Sequence, residues 1–203
     1  EHKKWASTHL NGLPTPPAFN NTKDAKRKLK LGIVSPDFRQ HTVMAFIEPF
    51  LAALDHKNLE VFAYSSVLRP DQETEKVKKL VDHFIDIRGM TDMQASGQIR
   101  KDGIDVLVDL AGHTAGHRLV LFALKPAPIQ IAQFGYPDTT GLQAMDYRIT
   151  DTFADPLGKT ESIHTEKLVR LDGLAWCYQP FEQAPDVPKR TPKAGGIIFG
   201  SLN

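Results

Sequence analysis

The chain alternates short apolar runs with amphipathic or polar stretches. An apolar run at 29–34 stops at Ser35-Pro36-Asp37, and residues 43–54 carry apolar side chains at helical spacing. A second run at 60–64 closes at Ser65-Ser66. A polar helix at 73–81 and a short strand at 84–87 come next, then a helix at 92–100 with Asp92 suited to capping it. Residues 104–110 form the most hydrophobic strand. A helix at 117–124 is stopped by Pro126 and Pro128, and further strands lie at 129–134 and 147–150. Strands that alternate with helices in this way predict an α/β fold with a doubly wound, mostly parallel, Rossmann-like sheet, here over residues 29–179.

The flanks read differently. Residues 1–28 are a lead-in: a short helix broken by Gly12, Pro14, Pro16 and Pro17, then a cationic stretch at 23–28 expected to be a solvated tether. Residues 180–194, with Pro185, Pro188 and Pro192, read as a linker. Residues 195–203 read as one further strand, Ile197-Ile198-Phe199, opening a second lobe that is cut off.

Charge is balanced, Lys+Arg 25 against Asp+Glu 24, so electrostatics give no reason to expect nucleic acid or an anionic membrane as partner. No apolar run approaches the roughly 20 residues that span a bilayer. Residues 1–4 are charged and lead into no apolar segment, so no signal peptide is expected and a cytoplasmic location is. The one cysteine, Cys177, excludes an internal disulfide and a multi-cysteine zinc site. Between Trp176 and Tyr178 it is expected to be a small buried hydrophobe.

In an open parallel sheet, ligands bind beyond the carboxyl ends of the strands. The segments in those positions here are polar, rich in glycine and bear histidines: Ser35 to His41, Gly112 to Arg118 and Gly135 to Gly141. No G-x-G-x-x-G, G-x-x-x-x-G-K-[ST] or G-x-S-x-G occurs, which argues against a dinucleotide site, an ATPase-type phosphate loop and a hydrolase nucleophile elbow. His41, between a strand and a helix, suits either capping or catalysis. Asp109, His113 and His117 are spaced by four and would share a helix face as metal ligands. However, Asp109 ends a strand and Gly112 breaks the register, so no metal and no cofactor are expected. Asp109 suits fixing a loop as well as touching substrate, and Tyr136-Pro137 suits loop packing as well as a binding surface.

Several of these segments, taken in order, carry a resemblance. Ser35-Pro36-Asp37-Phe38-Arg39-Gln40-His41, Asp109-Leu110-Ala111-Gly112-His113-Thr114, Pro126-Ala127-Pro128-Ile129-Gln130, Gly135-Tyr136-Pro137, Thr139-Thr140-Gly141 and Met145-Asp146-Tyr147 resemble the bacterial O-linked N-acetylglucosamine transferases, the SPINDLY-type proteins. The resemblance implies one lobe of a two-lobed, GT-B type glycosyltransferase, preceded by tetratricopeptide repeats from which the opening helix would be the exit. It implies inverting transfer of N-acetylglucosamine from UDP-N-acetylglucosamine to Ser or Thr hydroxyls of a protein acceptor, with the donor gripped mainly by the second lobe. In some plant relatives the sugar is fucose from GDP-fucose. By motif, His41 matches the proposed catalytic base. Asp109, Gly112, His113, Thr114, Tyr136 and Pro137 fall in segments expected to contact substrate. The absence of Asp-x-Asp fits a metal-independent mechanism. Two positions depart from the family: Asp138, where Gly is usual, and His117, where many relatives have Asn. The chain alone is expected to be inactive. The competing readings are a non-catalytic protein-binding module and a metal-dependent hydrolase built on Asp109, His113 and His117.

Overall fold

A computed structural model describes residues 1–24, 26–181 and 184–186. Among these, seven strands form one sheet: β1 (Leu29–Ser35), β2 (Leu59–Ser65), β3 (His83–Asp86), β4 (Val106–Asp109), β5 (Ile129–Ala132), β6 (Tyr147–Asp151) and β7 (Lys167–Leu171). Their order is β3-β2-β1-β4-β5-β6-β7, and every pairing is parallel. The helices are α1 (His2–His9), α2 (Met44–Ala52), α3 (Gln72–Leu80), α4 (Asp92–Asp102) and α5 (Leu119–Ala123).

Side chains alternate between the faces of a strand, so each central strand feeds two cores. Leu31 and Ile33 of β1, Val61 and Ala63 of β2 and Val108 of β4 pack with Met44, Ile47, Leu51 and Val77 of α2 and α3. Val34, Phe62, Tyr64 and Leu107 point the other way, onto Ala95, Ile99, Leu121 and Phe122 of α4 and α5. This is the doubly wound, three-layer arrangement expected from the sequence. Helix starts are fixed locally. Asp71 and Thr74 form a capping box at α3, and Thr91 and Gln94 form one at α4. Asp92 is therefore not the cap. As the first helical residue it receives Arg118 Nε at 2.5 Å instead.

Four further points differ from the reading of the sequence. α5 starts at Leu119, because Gly116 turns the chain at φ +80 and leaves His117 and Arg118 in the preceding loop. The edge strand β7 is absent from the sequence pattern; its burial alternates, with Lys167, Val169 and Leu171 exposed. Cys177 is exposed, not buried. The lead-in is not a free tether. Trp5 and Leu10 pack against the α4/α5 core, and Asn21 and Arg27 bond to Asp105, just before β4. Of the linker at 180–194, residues 180–181 and 184–186 are described. The strand expected at 195–203 lies outside the described residues.

Candidate functional site

Strand order reverses between β1 and β4: β2 and β3 lie to one side, β5 to β7 to the other. The loops leaving β1 and β4 must diverge there and leave a crevice at the carboxyl edge. A cleft of about 900 Å³ occupies that edge, lined by Asp37, Arg39 and Gln40 after β1, Arg69 after β2, and His117 and Arg118 after β4. Because the strands are parallel neighbours, His41 after β1, residues 112–117 after β4 and residues 135–141 after β5 all stand on this one edge. A second cavity of about 520 Å³ lies at the amino edge, but its cations Arg27, Lys30 and Arg100 are each bonded to the protein.

His41 is 40% exposed. Its Nδ1 accepts a long bond, 3.3 Å, from the Val43 amide at the start of α2, and its Nε2 stands 3.9 Å from Asp37 Oδ1. With Nδ1 accepting, the neutral ring carries its proton on Nε2. Asp37 is held in turn by Arg39, whose Nη2 donates to Oδ1 at 3.2 Å.

Asp109 is buried, 1% exposed, and turned onto its own loop: its oxygens accept the amides of Ala111 at 3.1 Å and Gly112 at 2.8 Å. Burial pushes its carboxyl up to about 6, and the two amide bonds offset only part of that. The turn so anchored needs glycine. Gly112 sits at φ +54, and a Cβ there would come within 2.3 Å of Tyr136 Cβ. Gly135, opposite, has no room either, since a Cβ would fall 1.7 Å from the Leu110 carbonyl oxygen. The exit loops of β4 and β5 therefore touch backbone to backbone. Phe134, at the root of the second loop, is a non-glycine residue at φ +63, a strained conformation of the kind that persists where neighbours over-determine it.

His113 Nε2 donates to the Thr140 carbonyl at 2.8 Å; a carbonyl only accepts, so this nitrogen carries the proton. Burial holds His113 below the ordinary histidine value, and the neighbouring His2 adds to this. His117 is lowered too, by burial and then by His113. Thr114 closes its own turn through Oγ1 to the Ala111 carbonyl at 2.8 Å, and Pro137 is exposed at the loop tip.

Three groups of residues whose place beside these loops the sequence does not predict complete the site. α1 lies over the loops: His2 Nε2 is 2.7 Å from the Tyr136 hydroxyl, the His2 and His113 rings are 4.5 Å apart, and Trp5 meets both His113 and His117 edge-on. Both positions that depart from the family resemblance face this helix, Asp138 toward His2 at 3.8 Å and His117 toward Trp5. Arg148 of β6, 4% exposed, donates to the carbonyls of Tyr136 at 2.8 Å and Asp138 at 3.2 Å. Glu166, just before β7 and 5% exposed, accepts from Thr139 Oγ1, from the Thr140 amide and from Thr140 Oγ1. Each pairing spans a long stretch of sequence, and only the Thr139-Thr140 pair hints at it.

His113 and Tyr136 are thus brought together under α1, while Asp109 faces into the loop. Among the described residues no group of three His, Cys, Asp or Glu side chains is arranged to hold a metal ion, and no helix is long and apolar enough to cross a membrane.

Comparison with known proteins agrees with this geometry. The "Probable UDP-N-acetylglucosamine--peptide N-acetylglucosaminyltransferase SPINDLY" of Oryza sativa subsp. japonica is 42% identical over the whole chain, and its Arabidopsis thaliana counterpart 39%. A solved structure, "Thermobaculum terrenum O-GlcNAc transferase mutant - K341M", superposes with a TM-score of 0.85 at 36% identity over 93% of this chain. The chain spans 22% of the length of each of those two relatives and 36% of the solved chain. The model of Glycosyl transferase family 41 matches residues 11–174, and the chain belongs to that family.

Proposed function

We propose that this chain forms the acceptor side of the active site of an inverting glycosyltransferase that moves N-acetylglucosamine from UDP-N-acetylglucosamine to Ser and Thr hydroxyls of proteins. The observation that carries the reading is that the loops bearing His41, His113 and Tyr136 leave parallel strands at one edge of the sheet, in a member of this family. The relatives' names supply the donor and the peptide acceptor.

In the reaction, the acceptor oxygen attacks the anomeric carbon from the face opposite the leaving group. The bond from that carbon to the diphosphate breaks, UDP leaves with the bonding electrons, and the hydroxyl proton must be taken up. His41 is exposed, comes just after the first strand, and carries an imidazole, whose unprotonated nitrogen can take up a proton. With its proton on Nε2 it orients the acceptor oxygen as a donor. To act as base it must give up the Val43 amide, and a 3.3 Å bond is readily given up. Asp109 acts through the loop: its two amide bonds hold the turn that presents His113. Groups that grip the donor and offset diphosphate charge belong, in this reading, to a second α/β lobe and to the stretch that includes residues 195–203. An upstream repeat array joined through α1, and a cytoplasmic location, are part of the same reading.

Full-length protein supplied with UDP-N-acetylglucosamine and a Ser/Thr peptide should yield peptide carrying one N-acetylhexosamine in the inverted, β linkage. His41→Ala should lower turnover by about 10²–10⁴-fold with donor affinity nearly unchanged. If His41 only caps α2, the thermal midpoint falls and turnover per folded molecule stays within about threefold of wild type; that result rejects His41 as the acting group.

A further inference from the structure

We propose that Glu166 is a positioning residue for this reaction: through Thr140 it sets the orientation and tautomer of His113 at the carboxyl edge. The proposal rests on the transferase reading above. Glu166 is buried and stands beside β7, at the far edge of the sheet from β4, whose exit loop carries His113; yet two hydrogen bonds join them. Its Oε1 accepts the Thr140 amide at 2.7 Å and the Thr140 hydroxyl, and its Oε2 accepts the Thr139 hydroxyl at 2.6 Å. The carbonyl of the same Thr140 then accepts from His113 Nε2 at 2.8 Å.

The arrangement has a chemical consequence. A buried carboxylate that receives two amides, of Thr140 and Thr165, and two hydroxyls fixes the Thr140 backbone, so the direction of its carbonyl is fixed too. That carbonyl places the His113 proton on Nε2 and leaves Nδ1 as the acceptor nitrogen of the neutral ring. Burial works against ionising Glu166, but the threonine hydroxyls and amides outweigh it and hold its carboxyl below the ordinary glutamate value, so it stays charged near neutrality. Arg148 grips the Tyr136 and Asp138 carbonyls of the same loop. The segment is therefore pulled from one end by a cation and from the other by an anion. Such fixed geometry is what a reacting constellation requires, since a displacement of about 1 Å can cost on the order of a hundredfold in rate.

The test is Glu166→Gln in the full-length protein. The amide would turn an N–H₂ toward some of the four donors and loosen Thr140. Turnover should fall about tenfold to a hundredfold, with KM for UDP-N-acetylglucosamine unchanged. Nitrogen NMR of His113 should show the Nε2–H tautomer in wild type and a mixture in the variant. The titration of His113 should move to lower pH, because an anion that favours its charged form is lost. The other titratable groups facing that ring are His2 of α1, His117 of its own loop, and Tyr136 and Asp138 of the facing loop, and all remain. Turnover per folded molecule within threefold of wild type, with the His113 tautomer unchanged, overturns the proposal. Should the variant fail to fold, Thr140→Val against Thr140→Ser carries the same test. Loss of the hydroxyl should cost turnover and disturb the tautomer, and Ser should retain the greater part of both. Equal behaviour of the two overturns the proposal. If wild type transfers no sugar at all, the transferase reading fails, while the tautomer measurement still decides whether Glu166 holds His113.

Discussion

Two aspartates four positions apart, at opposite ends of β4, live in opposite environments. Asp105, at the amino edge, takes a bidentate grip from Arg27 at 2.6 Å to each oxygen, plus Asn21 Nδ2 at 2.7 Å and the Lys30 amide at 2.9 Å. Burial alone would raise its carboxyl, but these bonds outweigh it and hold Asp105 below the ordinary aspartate value. Asp109, at the carboxyl edge, receives two amides and no cation among the described contacts, and burial pushes it up to about 6. The amino edge pairs its buried charge and closes the fold by tying Asn21 and Arg27 onto it. The carboxyl edge leaves Asp109 buried without a cation, and burial displaces its carboxyl upward and the His113 and His117 rings downward from their ordinary values.

The comparison breaks most visibly under Asp105→Ala. That change removes the acceptor of four hydrogen bonds and should lower the free energy of unfolding by about 2 kcal/mol, measured by denaturant titration. Turnover per folded molecule should stay the same; a loss of turnover in fully folded protein would show that the amino edge is not merely structural.

A smaller effect sharpens the contrast through pH. Asp105, depressed when folded, contributes stability above its unfolded pKa of about 3.9, and that contribution is lost as pH falls through its folded value. Asp109 has the reverse sign. Raised when folded, it contributes stability that is fully present below about pH 3.9 and declines as pH rises toward about 6. Carbon NMR of the Asp109 carboxyl should give a midpoint near 6. A midpoint near the ordinary value of about 4 would mean that its surroundings do not penalise the charge as burial requires.

The carboxyl edge is largely legible in the sequence. The runs that form β1, β2, β4, β5 and β6 are bounded by turn chemistry, so the segment leaving each strand can be named, and a parallel sheet must gather those segments at one edge. β7 escapes because an edge strand buries only alternate residues, and Lys167 and Arg170 break its apolar run. Thr91 and Asp92 both suit a cap, and the choice between them depends on where the helix dihedrals begin. The rest depends on contacts remote in sequence that no local pattern encodes: Arg27 on Asp105, His2 and Trp5 on His113, and Glu166 on Thr140. Cys177 departs from its expected burial for the same reason, since aromatic neighbours in sequence do not bury a side chain unless the chain itself turns inward.

In the proposed reaction the acceptor is held at the carboxyl edge of this sheet, beside His41. An acceptor peptide with a photoreactive diazirine next to its Ser, bound to the full-length protein with UDP and irradiated, tests it most directly. Mass spectrometry should place the adducts on residues 36–41 and 112–118, the exits of β1 and β4. Adducts confined to residues 17–22 and 100–105 at the amino edge, or the same yield on 36–41 and 112–118 when excess unlabelled peptide competes, would contradict it.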